Sequence, residues 1–306
     1  MSAEGSTRAV LTALAANLGI AATKFVAFAL TGSSSMLAEA IHSVADSSNQ
    51  ALLLIGGKRA ERRATEEHPF GYGRERYIYA FLVAIVLFSL GGLFALYEAY
   101  HKIRDPHPID SWQWVPIAVL FVAIALEGTA LRTAVKESNR SRGASNWVQF
   151  VRRSKSPELP VILLEDTGAL AGLVFALGGV GLTLLTGNGV WDGVGTAAIG
   201  VLLTAIAIVL ATEVKSLLIG ESAGPEHVRL IRAAILEGAD VPAVIHMRTM
   251  HLGPEELLVA AKIAVDLQDD AREVADAIND AEARIRAAVP IARLVYLEPD
   301  VLRKGG

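Results

Sequence analysis

The sequence predicts an α-helical membrane protein of six transmembrane helices followed by a small cytoplasmic α+β domain. Three observations carry this reading. Apolar residues make up 52% of the 306 residues and only 20% are charged, with a mean hydropathy of +0.42; a soluble domain carries about 25% charge. Six stretches have the roughly 20 mostly apolar residues that cross the hydrocarbon core. Near Gly220-Glu221-Ser222-Ala223-Gly224-Pro225 the long apolar runs stop and charges return, so the chain divides into 1–219 and 220–306.

The predicted spans are Ala9–Leu30, Ser35–Gly57, Ile78–His101, Trp114–Thr133, Val161–Thr186 and Val190–Thr212. The first is longer than the apolar core of a cleavable signal and runs almost directly into the second. Basic residues alternate between loops. Arg8 precedes span one, and the turn Thr31–Ser34 has none. Lys58, Arg59, Arg62, Arg63, Arg74 and Arg76 follow span two. Lys102 and Arg104, balanced by Asp105 and Asp110, follow span three. Lys136, Arg140, Arg142, Arg152, Arg153 and Lys155 follow span four, and Gly187–Gly189 has none. The positive-inside rule then puts both termini in the cytoplasm, as an even number of spans requires. Small residues such as Gly168, Gly172, Gly178, Gly179 and Gly181 suit close helix packing in lipid.

After Ile219 there are 15 acidic and 10 basic residues. Pro225–Glu237 reads as a helix, Val244–His251 and Leu257–Asp266 as strands around a Gly253-Pro254 turn, Ala271–Ala288 as an amphipathic helix, and Ile291–Leu297 as a last strand. The order αββαβ suits a small sheet with both helices on one face. Such a domain keeps an open face and commonly dimerises.

Several chemistries are excluded. The chain has no cysteine, which removes disulfide scaffolds, Cys-ligated zinc, iron–sulfur clusters and thiol catalysis. The apolar content excludes disorder. A net charge of −4 and a pI near 6.0 argue against nucleic-acid binding. No H-E-x-x-H is present, so a zinc protease of that type lacks its ligands and base.

Span two holds Glu39, His42, Asp46 and Asn49 at intervals of three, four and three, on one helix face. Each charge inside a span costs about 2.5–3.5 kcal/mol on an insertion scale, so this stripe must face a partner, water or an ion. His42 and Asp46 at i, i+4 can both reach one cation, and imidazole nitrogen with carboxylate oxygen suits zinc. The competing reading is a hydrogen-bonded pair between helices. Span five holds the adjacent Glu165 and Asp166, about 100° apart around the helix. Both can border one cavity; only one can aim straight into it. The competing reading places them at the cytoplasmic interface. Lys24 in span one either snorkels or pairs with an acid, and no role in transport is expected of it. Asp192 reads as interfacial. His68 sits among turn residues, His246 and His251 lie near the first hairpin of the tail, and His101 and His107 carry no signal.

These residues resemble the cation diffusion facilitator family of divalent-metal transporters. The signatures are Leu30-Thr31-Gly32-Ser33, Ala38-Glu39-Ala40-Ile41-His42-Ser43-Val44-Ala45-Asp46, His68-Pro69-Phe70-Gly71-Tyr72-Gly73-Arg74 and Ile219-Gly220-Glu221-Ser222-Ala223. The resemblance covers nearly the whole chain. It implies six spans, a ferredoxin-like cytoplasmic tail, and a homodimeric antiporter in the cell membrane that exports a divalent cation, Zn²⁺ by the span-two pattern, in exchange for H⁺. His42 and Asp46 match the family's span-two pair. Span five departs from the usual spacing, since Ile162 stands four residues before Asp166. The adjacent Glu165-Asp166 pair resembles instead the branch related to the animal mitochondrial zinc transporter nine. Asp166 is the expected third ligand, and Glu165 the fourth or a proton carrier. Tyr72 and the strand Leu294–Glu298 lack histidines of the family's accessory sites, so the tail is expected to hold the dimer more than to sense metal. Two alternatives stand beside this reading: a non-transporting membrane sensor or scaffold, and the same transporter with Mn²⁺, Fe²⁺, Co²⁺ or Cd²⁺ as cargo.

Overall fold

The computed structural model describes residues 3–107 and 112–302; Asp110 and the side chains of Arg8 and Ser35 lie outside the described residues. The chain divides into two compact units. One comprises Met1–Lys58 and Tyr77–Lys215, the other Arg59–Arg76 and Ser216–Gly306. The loop Arg59–Arg76 therefore belongs with the tail, where a single cut at 219/220 leaves it with the helices. Its Gly73 lies against Gly253 and the Leu252 carbonyl, so close that a side chain there would collide with backbone.

The first unit is helical. It contains α1 (Ala3–Thr31), α2 (Ser34–Ala60), α3 (Glu75–Val86), a π-helical turn Leu87–Leu93, α4 (Phe94–Arg104), α5 (Trp114–Arg142), α6 (Trp147–Arg153), α7 (Glu158–Thr186) and α8 (Val190–Ile219). Gly32, at φ +65°, makes the tight turn between α1 and α2, and Gly187, at φ +69°, ends α7; glycine takes this left-handed conformation without a Cβ penalty. Four helical stretches are long and apolar enough to cross a bilayer: Glu75–Arg104, Trp114–Arg142, Glu158–Thr186 and Val190–Ile219. By that measure four of the six predicted spans are found among the described residues. The other two differ for separate reasons. The apolar part of α1 whose side chains are described runs only from Asn17 to Thr31. The polar stripe of α2 lowers its hydropathy although the helix is 27 residues long.

α7 packs through a small-residue stripe. A Cβ on Gly179 would lie 2.9 Å from the Trp191 carbonyl and 3.1 Å from Gly195 Cα, and one on Gly168 would meet Ile206. Gly178 and Gly181 face open space instead, so close packing accounts for only some of the span-five glycines. Asp192, in the first turn of α8, is packed inside the helical unit. It is fully buried, and both carboxylate oxygens accept from Ser33 Oγ, at 3.0 and 3.2 Å. The Ser33 hydroxyl lies in the turn between α1 and α2, distant in sequence, which is what the sequence could not place.

The tail forms α9 (Pro225–Leu236), β1 (Val244–Gly253), β2 (Glu256–Ala264), α10 (Ala271–Ala288) and β3 (Leu294–Asp300), in the predicted order. The sheet order is β1-β2-β3, with β1 antiparallel and β3 parallel to β2. Alternate residues Leu257, Val259, Ala261 and Ile263 of β2 meet Ile231 and Ile235 of α9 and Ala281 and Ile285 of α10 in one core. Both helices thus cover the same face. A capping box starts α10: Asp270 accepts from the Arg272 and Glu273 amides, and Glu273 accepts from the Asp270 amide. β3 begins three residues later than predicted. Val289–Arg293 turns back on itself, and the Ile291 carbonyl accepts from the Leu257 amide at 2.7 Å. Tyr296, on the uncovered face, is exposed.

Lys262 lies opposite Glu298 and donates to it at 2.9 Å and to Asp300 at 3.0 Å. The bonds to Glu298 and then Asp300 raise its pKa above the ordinary lysine value. This clasp therefore contributes fully below about pH 10.4 and is lost as pH rises through the higher folded-state value. Thermal melts of wild type and Lys262→Met should differ at neutral pH and converge in strong alkali. Gly179→Leu must push α7 from α8, an overpacking cost of about 1–3 kcal/mol. A lower melting temperature in detergent is the expected result.

Candidate metal centre

α2 is amphipathic in the inverse sense. Glu39, His42, Ser43, Asp46, Ser47 and Asn49 are all buried, at 0–5% exposure, while Ile55 is 45% exposed. The helix turns its polar face inward because a bilayer offers hydrocarbon outside and no water to solvate charge.

The polar groups of the stripe meet α1 at one end and α7 at the other. Lys24 of α1 is 1% exposed, and its Nζ donates to Glu39 Oε2 at 3.0 Å and to Ser43 Oγ at 2.8 Å. Of the two sequence readings for Lys24, pairing with an acid is the one realised. His42 Nδ1 stands 3.5 Å from Asp46 Oδ1. Asn49 Nδ2 donates to Glu165 Oε1 of α7 at 3.1 Å. The Asp46 and Glu165 carboxyls are neighbours across the α2–α7 contact. Two acids so placed need a proton or a cation between them.

Glu165 is 4% exposed and Asp166 half-buried. Glu165, expected to be the lesser of the two, is the one turned to α2. The 100° step between neighbours lets one aim inward while the other borders the site. Glu165 lies on the buried α7 stripe with Val161, Gly168, Ala169 and Gly172; Asp166 falls off it. Asp166 still feels the charges of Glu165 and of Glu127 on α5. Glu127, 6% exposed, borders a cavity of about 570 Å³ between α1 and α5. The sequence reading passed over it, although a lone acid in the apolar run Trp114–Thr133 is by itself a signal.

Several buried atoms of this cluster have no hydrogen-bond partner: both ring nitrogens of His42, Asp46 Oδ1, Glu39 Oε1 and Asn49 Oδ1. Buried polar atoms are nearly always satisfied, so this concentration of unpartnered atoms is unusual. The imidazole nitrogens and carboxylate oxygen are donors suited to a divalent cation. As placed, no three His, Asp or Glu side chains among the described residues enclose an ion. Loading a cation would require His42, Asp46 and Glu165 to draw together.

The accessory histidines are scattered. His68 is exposed and makes a ring contact with Tyr72 at 4.7 Å. His246 is exposed on β1, and His251 is buried with Nδ1 3.3 Å from the Gly253 carbonyl.

The Asn49–Glu165 bond ties α2 to α7. Asn49→Leu leaves a buried carboxylate oxygen without its donor, at a cost of about 1–3 kcal/mol. The variant should melt below wild type in detergent.

Residues 10–219 match the cation efflux transmembrane domain. Over 246 residues the chain is 33% identical to the mitochondrial proton-coupled zinc antiporter SLC30A9 of Xenopus laevis, covering 79% of this chain and 44% of that protein. The Homo sapiens protein of the same name is 32% identical over 245 residues, 79% of this chain and 43% of the relative. Metal tolerance protein C4 of Arabidopsis thaliana is 26% identical over 260 residues, 84% and 57% respectively. The chain thus spans less than half the length of the antiporters and somewhat over half that of the plant protein. With a buried donor cluster set among apolar helices and a match over residues 10–219, the chain is an integral membrane protein that belongs to the cation efflux, or cation diffusion facilitator, family of metal transporters.

Proposed function

We propose that this chain is a proton-coupled antiporter of divalent metal, with Zn²⁺ as its cargo, built as six spans with cytoplasmic termini and a ferredoxin-like tail that dimerises. The observation that carries this is the stripe His42–Asp46 facing Glu165, with buried donor atoms lacking partners. His42, Asp46 and Glu165 form the ligand set. Asp166 joins it or holds a proton at its edge. The names of the relatives support zinc and proton coupling, and a non-enzymatic role.

The chemistry follows from the acids. In the metal-free state the facing carboxyls of Asp46 and Glu165 hold a proton. Ligands must be deprotonated to bind metal, so an entering cation displaces that proton. On the other side of the membrane protons compete back and release the ion. The carboxylates also neutralise the charge of the cation during crossing. The uncovered face of the tail sheet, where Tyr296 is exposed, is the proposed dimer contact.

The test is zinc uptake into proteoliposomes containing a pH dye. Wild type should take up zinc with matching proton exit. Asp46→Ala and Asp166→Asn should each cut flux at least about tenfold, about 1.4 kcal/mol in the barrier, while the protein still folds. Absence of flux with zinc, manganese, cobalt and iron would overturn transport in favour of a metal-binding sensor or scaffold. Retained flux in Asp46→Ala would overturn the ligand assignment alone.

A further inference from the structure

A cation-binding cluster with a lysine built beside it poses a question. Lys24 is 1% exposed, so its ammonium group is held inside the helical unit. Its Nζ is held by Glu39 Oε2 at 3.0 Å, Ser43 Oγ at 2.8 Å and the Glu39 carbonyl at 3.5 Å. Glu39 and Ser43 flank His42 on α2, three residues before and one after. The ammonium therefore sits within one helical turn of His42 and on the same buried side of α2 as Asp46. Its charge acts on His42, Asp46 and Glu127.

The surroundings are otherwise acidic. Glu39, Asp46, Glu127, Glu165 and Asp166 converge from α2, α5 and α7, and Lys24 is the one positively charged residue that the described cluster sets among them. A site with so much negative charge and no opposing charge would hold a divalent ion too tightly to let it go. Passage requires binding firm enough to load and weak enough to leave. Glu39 engages Lys24 through one oxygen; its Oε1 has no hydrogen-bond partner and lies beside Gly172, where a Cβ would stand 2.9 Å away. The pair is thus a dipole beside the donor set, with its positive end tied to the residue next to His42.

We propose that Lys24 is a resident cation that sets the affinity of the neighbouring site: it weakens the hold of His42, Asp46 and Glu165 on a divalent ion so that the ion can leave, and Glu39 limits how much of that charge the site feels. This rests on the transport-site reading above. Lys24 touches no ligand and acts as a positioning charge.

The electrostatic role and a purely structural salt bridge give opposite signatures. Lys24→Met and Glu39→Gln break the same bond, so a structural role moves zinc affinity in the same direction in both. A charge role moves it in opposite directions, because one variant removes a positive charge near the cation and the other removes a negative one. Zinc binding to the purified full-length chain in detergent, by titration calorimetry, reads the difference. Lys24→Met should bind zinc about tenfold or more tightly, equivalent to about 1.4 kcal/mol, and release it more slowly in the vesicle assay. Glu39→Gln should bind about tenfold more weakly. The double variant should return close to wild type, and Lys24→Arg, which keeps the charge, should stay there. Lys24→Arg and the double variant keep the test informative where a single variant unfolds. Weaker or unchanged binding in Lys24→Met, or both single variants shifting alike, would overturn the role of Lys24. A wild-type protein that binds no zinc, manganese or cobalt would overturn the transport site itself.

Discussion

The burial of the polar face of α2 is the constraint on which the helical unit depends. Charges within a bilayer cannot be solvated from outside, so each must be met from inside. Lys24 of α1 meets Glu39, Glu165 of α7 meets Asn49 and Asp46, and Ser33 meets Asp192 of α8. These bonds tie α1 and α7 to α2 and α8 to the turn before it, and the small residues of α7 let the approach occur. Gly172, against Glu39 Oε1, shows both effects at one position. A Cβ at this position would stand 2.9 Å from that carboxylate oxygen.

The same constraint explains why structure and chemistry coincide in this protein. A stripe of ionisable groups costs too much in a membrane to serve packing alone; replacing a buried ion pair by apolar residues is often neutral or stabilising. α2, which falls short of the hydropathy measure for a span, carries two of the candidate ligands, His42 and Asp46. Its low hydropathy follows from Glu39, His42, Asp46 and Asn49, which are buried against neighbouring helices. The tail obeys ordinary aqueous rules. An apolar sheet face is covered by two amphipathic helices, a capping box starts α10, and a clasp at Lys262 pins β3 to β2.

Much of the fold was legible in the chain. The tail order, the bounds of α10 and the turns at Gly32 and Gly187 follow from periodicity, a cap and glycine. The start of β3 did not, because the Val289–Arg293 turn is held by a bond from Leu257 far away in sequence. Within the site, the spacing of His42 and Asp46 and the presence of two acids on span five were readable, because helical period and the cost of intramembrane charge are local facts. The partners of Lys24 and Asp192 were not, because each lies on a different element from the group it serves.

The sequence by itself determined which residues carry ionisable chemistry, which helix faces they share, and that an acidic α+β domain follows the apolar helices. Only the tertiary structure decided that Glu165 rather than Asp166 turns to α2, that Lys24 closes on Glu39 and Ser43, and that Asp192 is buried under Ser33. The physical reason is that helical periodicity orders side chains around one axis. The azimuth at which one helix meets another is set by which polar groups find partners when no water is available to replace them.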